Sequence, residues 1–122
     1  MGKWVSAAVL DGALAVIAGA DRMVAVAGQP ADYAAAWNGR LAAAEVTPAD
    51  FALQAGAGSG RRVAISGKTG VAVVTAGVAD HVALLDSGAS RLLYVTTCPA
   101  QPLAAGGTVS FDPWSVEIGS PQ

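Results

Sequence analysis

Apolar positions recur at helical spacing only near the start of the chain. Val9, Leu10, Ala13, Leu14 and Ile17 follow the 3.6-residue period, with Ser6 as a candidate N-cap and Gly19 as a stop. This predicts one helix of roughly three turns. Beyond it the pattern shortens. Met23-Val24-Ala25-Val26-Ala27 reads as a first strand, ended by Gly28 and Pro30. Residues 31–39 are expected to be irregular; Tyr33 and Trp37 within them are spaced for one helical face, the usual arrangement of a satellite core.

The remaining chain alternates short apolar runs with turn residues, the spacing of a sandwich or barrel. Candidate strands are 41–46, 50–54, 61–66, 71–76, 79–86, 91–97, 108–111 and 114–118. Two hairpins are predicted. One joins 80–86 to 91–97 through Ser87-Gly88-Ala89-Ser90, and the other joins Val63-Ala64-Ile65 to 71–74 through Ser66-Gly67-Lys68-Thr69-Gly70. The first should carry the core, because Leu84, Leu85, Leu92, Leu93 and Tyr94 are the densest group of large apolar residues. The expected fold is mainly β, a β-sandwich or barrel-like arrangement of short antiparallel strands with one N-terminal α-helix. A chain of 122 residues suits one domain, with the helix in 6–19 and the β-rich body in 22–118.

Composition changes the picture at the surface. Apolar residues are 53% of the chain and charged ones 13%, against about a quarter charged in an average domain. Alanine alone accounts for 28 positions, so large core residues are scarce and the exterior must be weakly charged. Coverage by partners would explain such a surface, and so would a drift toward Ala, Gly and Val in the coding sequence. The net charge of −2, with basic residues scattered apart from Arg61-Arg62, gives no footprint for nucleic acid. Cys98 is the single cysteine, which excludes an internal disulfide and suits folding in a reducing cytoplasm.

No membrane association is expected. Asp11 interrupts the apolar run 7–20 that a signal peptide would need, and no stretch is long enough to span a bilayer. Met1-Gly2-Lys3-Trp4-Val5-Ser6 fits the formal N-myristoylation pattern, which is short and matches by chance.

The candidate chemistry is thin. Residues 62–69 end in Gly67-Lys68-Thr69 like a phosphate-binding loop, but Arg62 stands where the first glycine belongs and a strand pattern follows instead of a helix. Gly56, Gly58 and Gly60 are spaced like a dinucleotide loop yet also lead into a strand. His81 is the only histidine. Strand alternation sends His81, Ala83 and Leu85 to one face and Val82, Leu84 and Asp86 to the other, so Asp80 is not expected to orient the imidazole. Asp80, Asp86, Asp112 and Glu117 show no spacing that singles out an acid-base pair. No catalytic residue, cofactor or metal is therefore expected.

A resemblance is carried by His81-Val82-Ala83-Leu84-Leu85-Asp86, by Leu92-Leu93-Tyr94-Val95-Thr96-Thr97-Cys98 and by Pro113-Trp114-Ser115-Val116-Glu117-Ile118. Trp4-Val5-Ser6 with Leu10-Asp11, and Ser59-Gly60-Arg61, support it. These segments resemble a family of small virion proteins encoded among the head and tail genes of siphophages and related prophages. That family carries no catalytic motif, and Ser115 stands where its members have an acidic residue. The resemblance implies a virion component assembled in the bacterial cytoplasm.

Small size, a β domain, low charge and no fibrous segment favour a capsid decoration protein bound to the major capsid lattice, in repeated copies. The alternatives are a tail or neck component, a head-fibre or host-binding module, and, remotely, a small hydrolase. The expected contact arms are the Ala- and Gly-rich segments 29–39 and 55–60, giving Gln29, Tyr33, Trp37, Gly56, Gly58, Arg61 and Arg62 as candidate interface residues.

Overall fold

The computed structural model describes residues 3–119, so Met1 and Gly2 of the acylation pattern lie outside the described residues. Helix α1 spans Ala7–Ile17. The Ser6 hydroxyl accepts a hydrogen bond from the Val9 N–H at 3.3 Å and fixes where the helix starts. Leu10 and Leu14 are buried and Ile17 is half-buried, one stripe along the helix. Asp11, the helix's one charge, meets Arg61 at 2.8 Å.

Among the described residues nine strands follow: β1 (Arg22–Val26), β2 (Arg40–Glu45), β3 (Phe51–Ala55), β4 (Arg61–Ile65), β5 (Lys68–Ala72), β6 (Gly77–Asp86), β7 (Arg91–Leu103), β8 (Thr108–Phe111) and β9 (Trp114–Ile118). A short helix, α2 (Tyr33–Asn38), lies between β1 and β2. All strand pairs are antiparallel. The largest sheet has the order β2-β1-β6-β7, a second has β3-β4-β9, and β5 pairs with β8. An isolated bridge between Ala42 and Val73 links the large sheet to the segment after β5. The fold is mainly β and sandwich-like, as expected.

The large sheet is covered on both faces, which is why β1 reads as an unbroken apolar run. Its inner face supplies Met23, Ala25 and Leu84 to the main core, where they join Leu14 of α1, Val63 and Ile65 of β4, Phe111 of β8 and Val116 of β9. Its outer face supplies Val24, Val26, Ala83 and Leu85, covered by Ala36, Tyr33 and Trp37 of α2. The expected irregular segment is thus partly helical. The Asp32 side chain accepts from the Ala35 N–H at 2.8 Å and starts α2.

The hairpin β6–β7 forms as predicted, with β7 running on to Leu103. Its leucines divide between the faces: Leu84 and Leu85 are fully buried in opposite layers, while Leu92, Leu93 and Tyr94 are half-buried. The second predicted hairpin does not exist. β4 is the centre of its sheet, between β3 and β9, and β5 turns away to pair with β8. Glycine is required where they diverge, since a Cβ at Gly67 would lie 2.8 Å from the Phe111 carbonyl oxygen and 2.9 Å from Pro113 Cδ. Asp50 braces the same junction. Its carbonyl accepts from the Ser66 N–H at 2.8 Å, and its carboxylate meets the Lys68 ammonium at 3.0 Å and the Thr47 N–H at 2.8 Å.

Candidate interaction surface

The residues expected to form one interface separate into two groups. Tyr33 and Trp37 sit on the outer face of the large sheet, while Gly56, Gly58, Arg61 and Arg62 belong to the β3–β4 end of the second sheet, on the inner side. Gln29 is exposed in the turn after β1.

Neither group is a loose arm. Trp37 is half-buried, with the Arg40 guanidinium 3.9 Å above its ring and donating to its carbonyl at 2.7 Å. The glycine-rich segment is a hairpin turn closed by the Gly56 N–H on the Gly60 carbonyl at 3.0 Å, and Glu117 accepts from the Ala57 N–H at 2.6 Å. Arg61 is used by Asp11, and Arg62 donates to Gln54 at 3.1 Å. Both expected contact arms are held by backbone turns and side-chain bonds within the chain.

The most exposed apolar side chains lie elsewhere. Trp4 is 84% exposed, Val9 61%, Val74 57% and Val16 51%. The stripe Val9, Gly12, Ala13 and Val16 on α1 is solvent-facing and has no polar side chain. The sequence pattern had assigned Val9 and Ala13 to the buried face. Two overlapping stripes, 9-13-16 and 10-14-17, satisfy the helical period equally, and the core took the one bearing the two leucines. The signal that distinguishes this helix is its composition: apart from Asp11 it has no charged or polar residue for solvent to face.

The groups that could do chemistry are tied into the framework. Asp80 does reach His81, contrary to strand alternation: Oδ1 lies 2.7 Å from the ring Nδ1. The β6–β7 ladder is irregular between Ala79 and His81, opposite Pro99, which has no N–H to offer the ladder. Asp80 thereby escapes the strict register and also accepts from the Gly28 N–H at 2.7 Å. The His81 hydrogen bond first, and the Gly28 N–H second, hold its carboxyl below the usual value. Burial, followed by the Asp80 charge, pushes the Cys98 thiol up from its ordinary value, the opposite of the shift that activates a thiol.

The loop-like Gly67-Lys68-Thr69 enters β5 with its lysine bound to Asp50 and no helix behind it. Asp86 holds Arg91 at 3.3 Å, and Glu117 serves the turn described above. Asp112 lies on the wall of a cleft of about 450 Å³ between β7 and the β8–β9 connection, with Phe111, Trp114, Val82 and Cys98. Among the described residues no three His, Cys, Asp or Glu side chains are grouped to hold a metal ion, and no helix is long and apolar enough to cross a membrane.

Compared with family models, curated proteins and solved structures, the chain matches none.

Proposed function

We propose that this chain is a non-enzymatic virion protein of a tailed bacteriophage, a decoration protein that binds the capsid lattice in repeated copies. The observation that carries the binding part is the neutral outer face of α1 together with the exposed Trp4. A large aromatic in water beside a helix without a polar face is stabilised when another surface covers it. The resemblance of 81–86, 92–98 and 113–118 to small siphophage virion proteins supports the choice of assembly.

The use made of the carboxylates favours the same reading. Asp50, Asp80, Asp86 and Glu117 each bond to backbone N–H groups that hold turns and junctions. Weak individual contacts suffice on a lattice, where neighbouring copies and high local concentration raise occupancy.

The test is to mix the purified protein with particles that lack it, then measure copies bound per capsid and the heat stability of the particles. Saturable binding at many equivalent sites, with later melting of the capsid, is expected. Binding confined to one vertex or to the tail would move the protein to the neck or tail, and no binding to any particle would reject the virion reading.

A further inference from the structure

We infer that the cleft between β7 and the β8–β9 connection receives an arginine side chain of a partner protein, its guanidinium paired with Asp112 and stacked on Trp114. No residue of α1 lines this cleft, so the inference is independent of the α1 contact proposed above.

All nine aspartates and glutamates of the chain lie among the described residues. Eight of them have partners within the chain, in caps, turns, strand ends or ion pairs. Asp112 is the ninth, and it has none. Its place is set by its neighbours. β8 ends on the buried Phe111, Pro113 disfavours a helical backbone at Asp112, and β9 starts at Trp114. The unpaired carboxylate therefore stands two residues from the indole, on the wall of the same cleft.

The cleft holds about 450 Å³, enough to enclose a long side chain and part of the backbone that carries it. Ala25, Val82 and Phe111 give it an apolar base on which a methylene stem can lie. Trp114 is half-buried and packed on Tyr94, with 6.0 Å between ring centroids, so its ring is held in place before anything binds. An apolar base, a fixed indole and an unpaired carboxylate together fit a cation with an apolar stem. Arginine fits better than lysine. A guanidinium is planar and weakly hydrated, and it can stack on the ring while donating two parallel N–H bonds to the carboxylate. The chain makes this ring contact for itself where Arg40 lies 3.9 Å over Trp37.

Charge also says where that arginine comes from. Within the chain Arg22 meets Asp21 and Glu45, Arg61 meets Asp11, and Arg91 meets Asp86. Arg40 is used by Trp37, and Arg62 donates to Gln54. Every arginine of a second copy is thus engaged at home, and the guanidinium that completes Asp112 belongs to another protein.

NMR titration of the isotope-labelled full chain with the capped tripeptide acetyl-Gly-Arg-Gly-amide tests this. The Trp114 indole N–H resonance should move and saturate, with a dissociation constant in the millimolar range, because one charge pair and one ring contact carry the binding. The citrulline analogue, nearly the same shape without the charge, should bind about tenfold more weakly or worse, and the lysine analogue about threefold more weakly. Asp112→Asn should lose about tenfold in affinity for the arginine peptide. Asp112 is exposed, so the far-UV circular dichroism of this variant should match the parent. Cys98, the single cysteine, lines the same cleft and supplies a second readout: saturating peptide should slow its alkylation by iodoacetamide severalfold.

A Trp114 resonance that shows no saturable shift would overturn the inference. So would a citrulline peptide that binds as well as the arginine one, an Asp112→Asn variant with parental affinity, or binding that leaves Cys98 alkylation at its free rate. Equal affinity for the lysine peptide would refute the assignment to arginine.

Discussion

Leu84 and Leu93 lie close together in the same hairpin and should respond very differently to truncation. Leu84 is fully buried on the inner face, paired with Met23 of β1 and Tyr94 of β7. Strands on both sides hold its backbone, and the second sheet closes over it, so the walls of a void cannot collapse easily. Leu84→Ala should therefore cost about 3–4 kcal/mol, in the upper half of the range for such changes. Unfolding entropy near 2.1 cal/mol/K per residue gives this chain about 0.25 kcal/mol/K, so Tm should fall by roughly 12–16 °C. Leu93 is the residue skipped where the β6–β7 register shifts between Leu84 and Leu85, and it packs on the core from its rim, half-buried. Leu93→Ala should cost about 1–2 kcal/mol, or roughly 4–8 °C. Thermal melts and urea titrations of both variants measure this, with unchanged m-values expected. If Leu93→Ala melts as low as Leu84→Ala, or if Leu84→Ala melts within a degree or two of the parent, the layer assignment is wrong.

Ser90 occupies the left-handed region in the β6–β7 turn at φ 53°, so Ser90→Gly should raise stability by about 0.5 kcal/mol and Ser90→Val should lower it by about 1 kcal/mol or more, read from urea midpoints. Gly60 has φ +72°, and a Cβ there would press on the Ile118 carbonyl oxygen and stand 2.8 Å from Gly119 Cα. Gly60→Ala should cost about 2–4 kcal/mol, with hydrogen exchange accelerated first at the Arg61 end of β4; uniform exchange would refute a local cause. The Thr47 N–H, then the Lys68 ammonium, hold the Asp50 carboxyl below its ordinary 3.8. As pH falls the unfolded chain takes up this proton before the folded one does, so the stabilisation is complete above about pH 5 and disappears as pH drops through the lowered folded value. The stability gap between parent and Asp50→Asn should therefore close in acid, and a constant gap from neutral pH downward would contradict the assignment.

The sequence was most readable where one local rule decides the outcome. Ser6 and Gly19 bracket α1, and polar Ser87–Ser90 between apolar runs produces the β6–β7 turn. It was least readable where partners are distant. The pattern at 63–74 satisfies a hairpin locally, but the steric demand at Gly67 and the Asp50 brace come from Phe111, Pro113 and Thr47, which spacing cannot reveal. Alternation failed at Asp80 for a related reason, since the irregularity opposite Pro99 resets which way the side chain points. Of the candidate interface, Tyr33 and Trp37 were correctly legible as a satellite core. Gly56 and Gly58 were misread because glycine-rich composition looks the same in a free loop and in a turn held by a remote Glu117. The exposed stripe of α1 was passed over because a period of 3.6 does not say which of two adjacent stripes faces inward.

The alanine content bears on the two explanations of the weakly charged exterior. Only seven of the 28 alanines are buried, namely Ala20, Ala25, Ala36, Ala42, Ala44, Ala79 and Ala83. The others are spread over helices, strands and turns, as a compositional drift would leave them, and they do not discriminate. The large side chains do. A drift toward Ala, Gly and Val gives no reason for a tryptophan to stand 84% exposed, and Val9 and Val16 are exposed on the same face of one helix. Isolated apolar residues on a surface need no partner, whereas the α1 stripe presents an exposed face without a polar side chain. The proposed contact with another protein surface would account for this one region, and composition accounts for the remainder. Charging the α1 face should consequently alter association, while charging Leu53 should alter nothing but net charge.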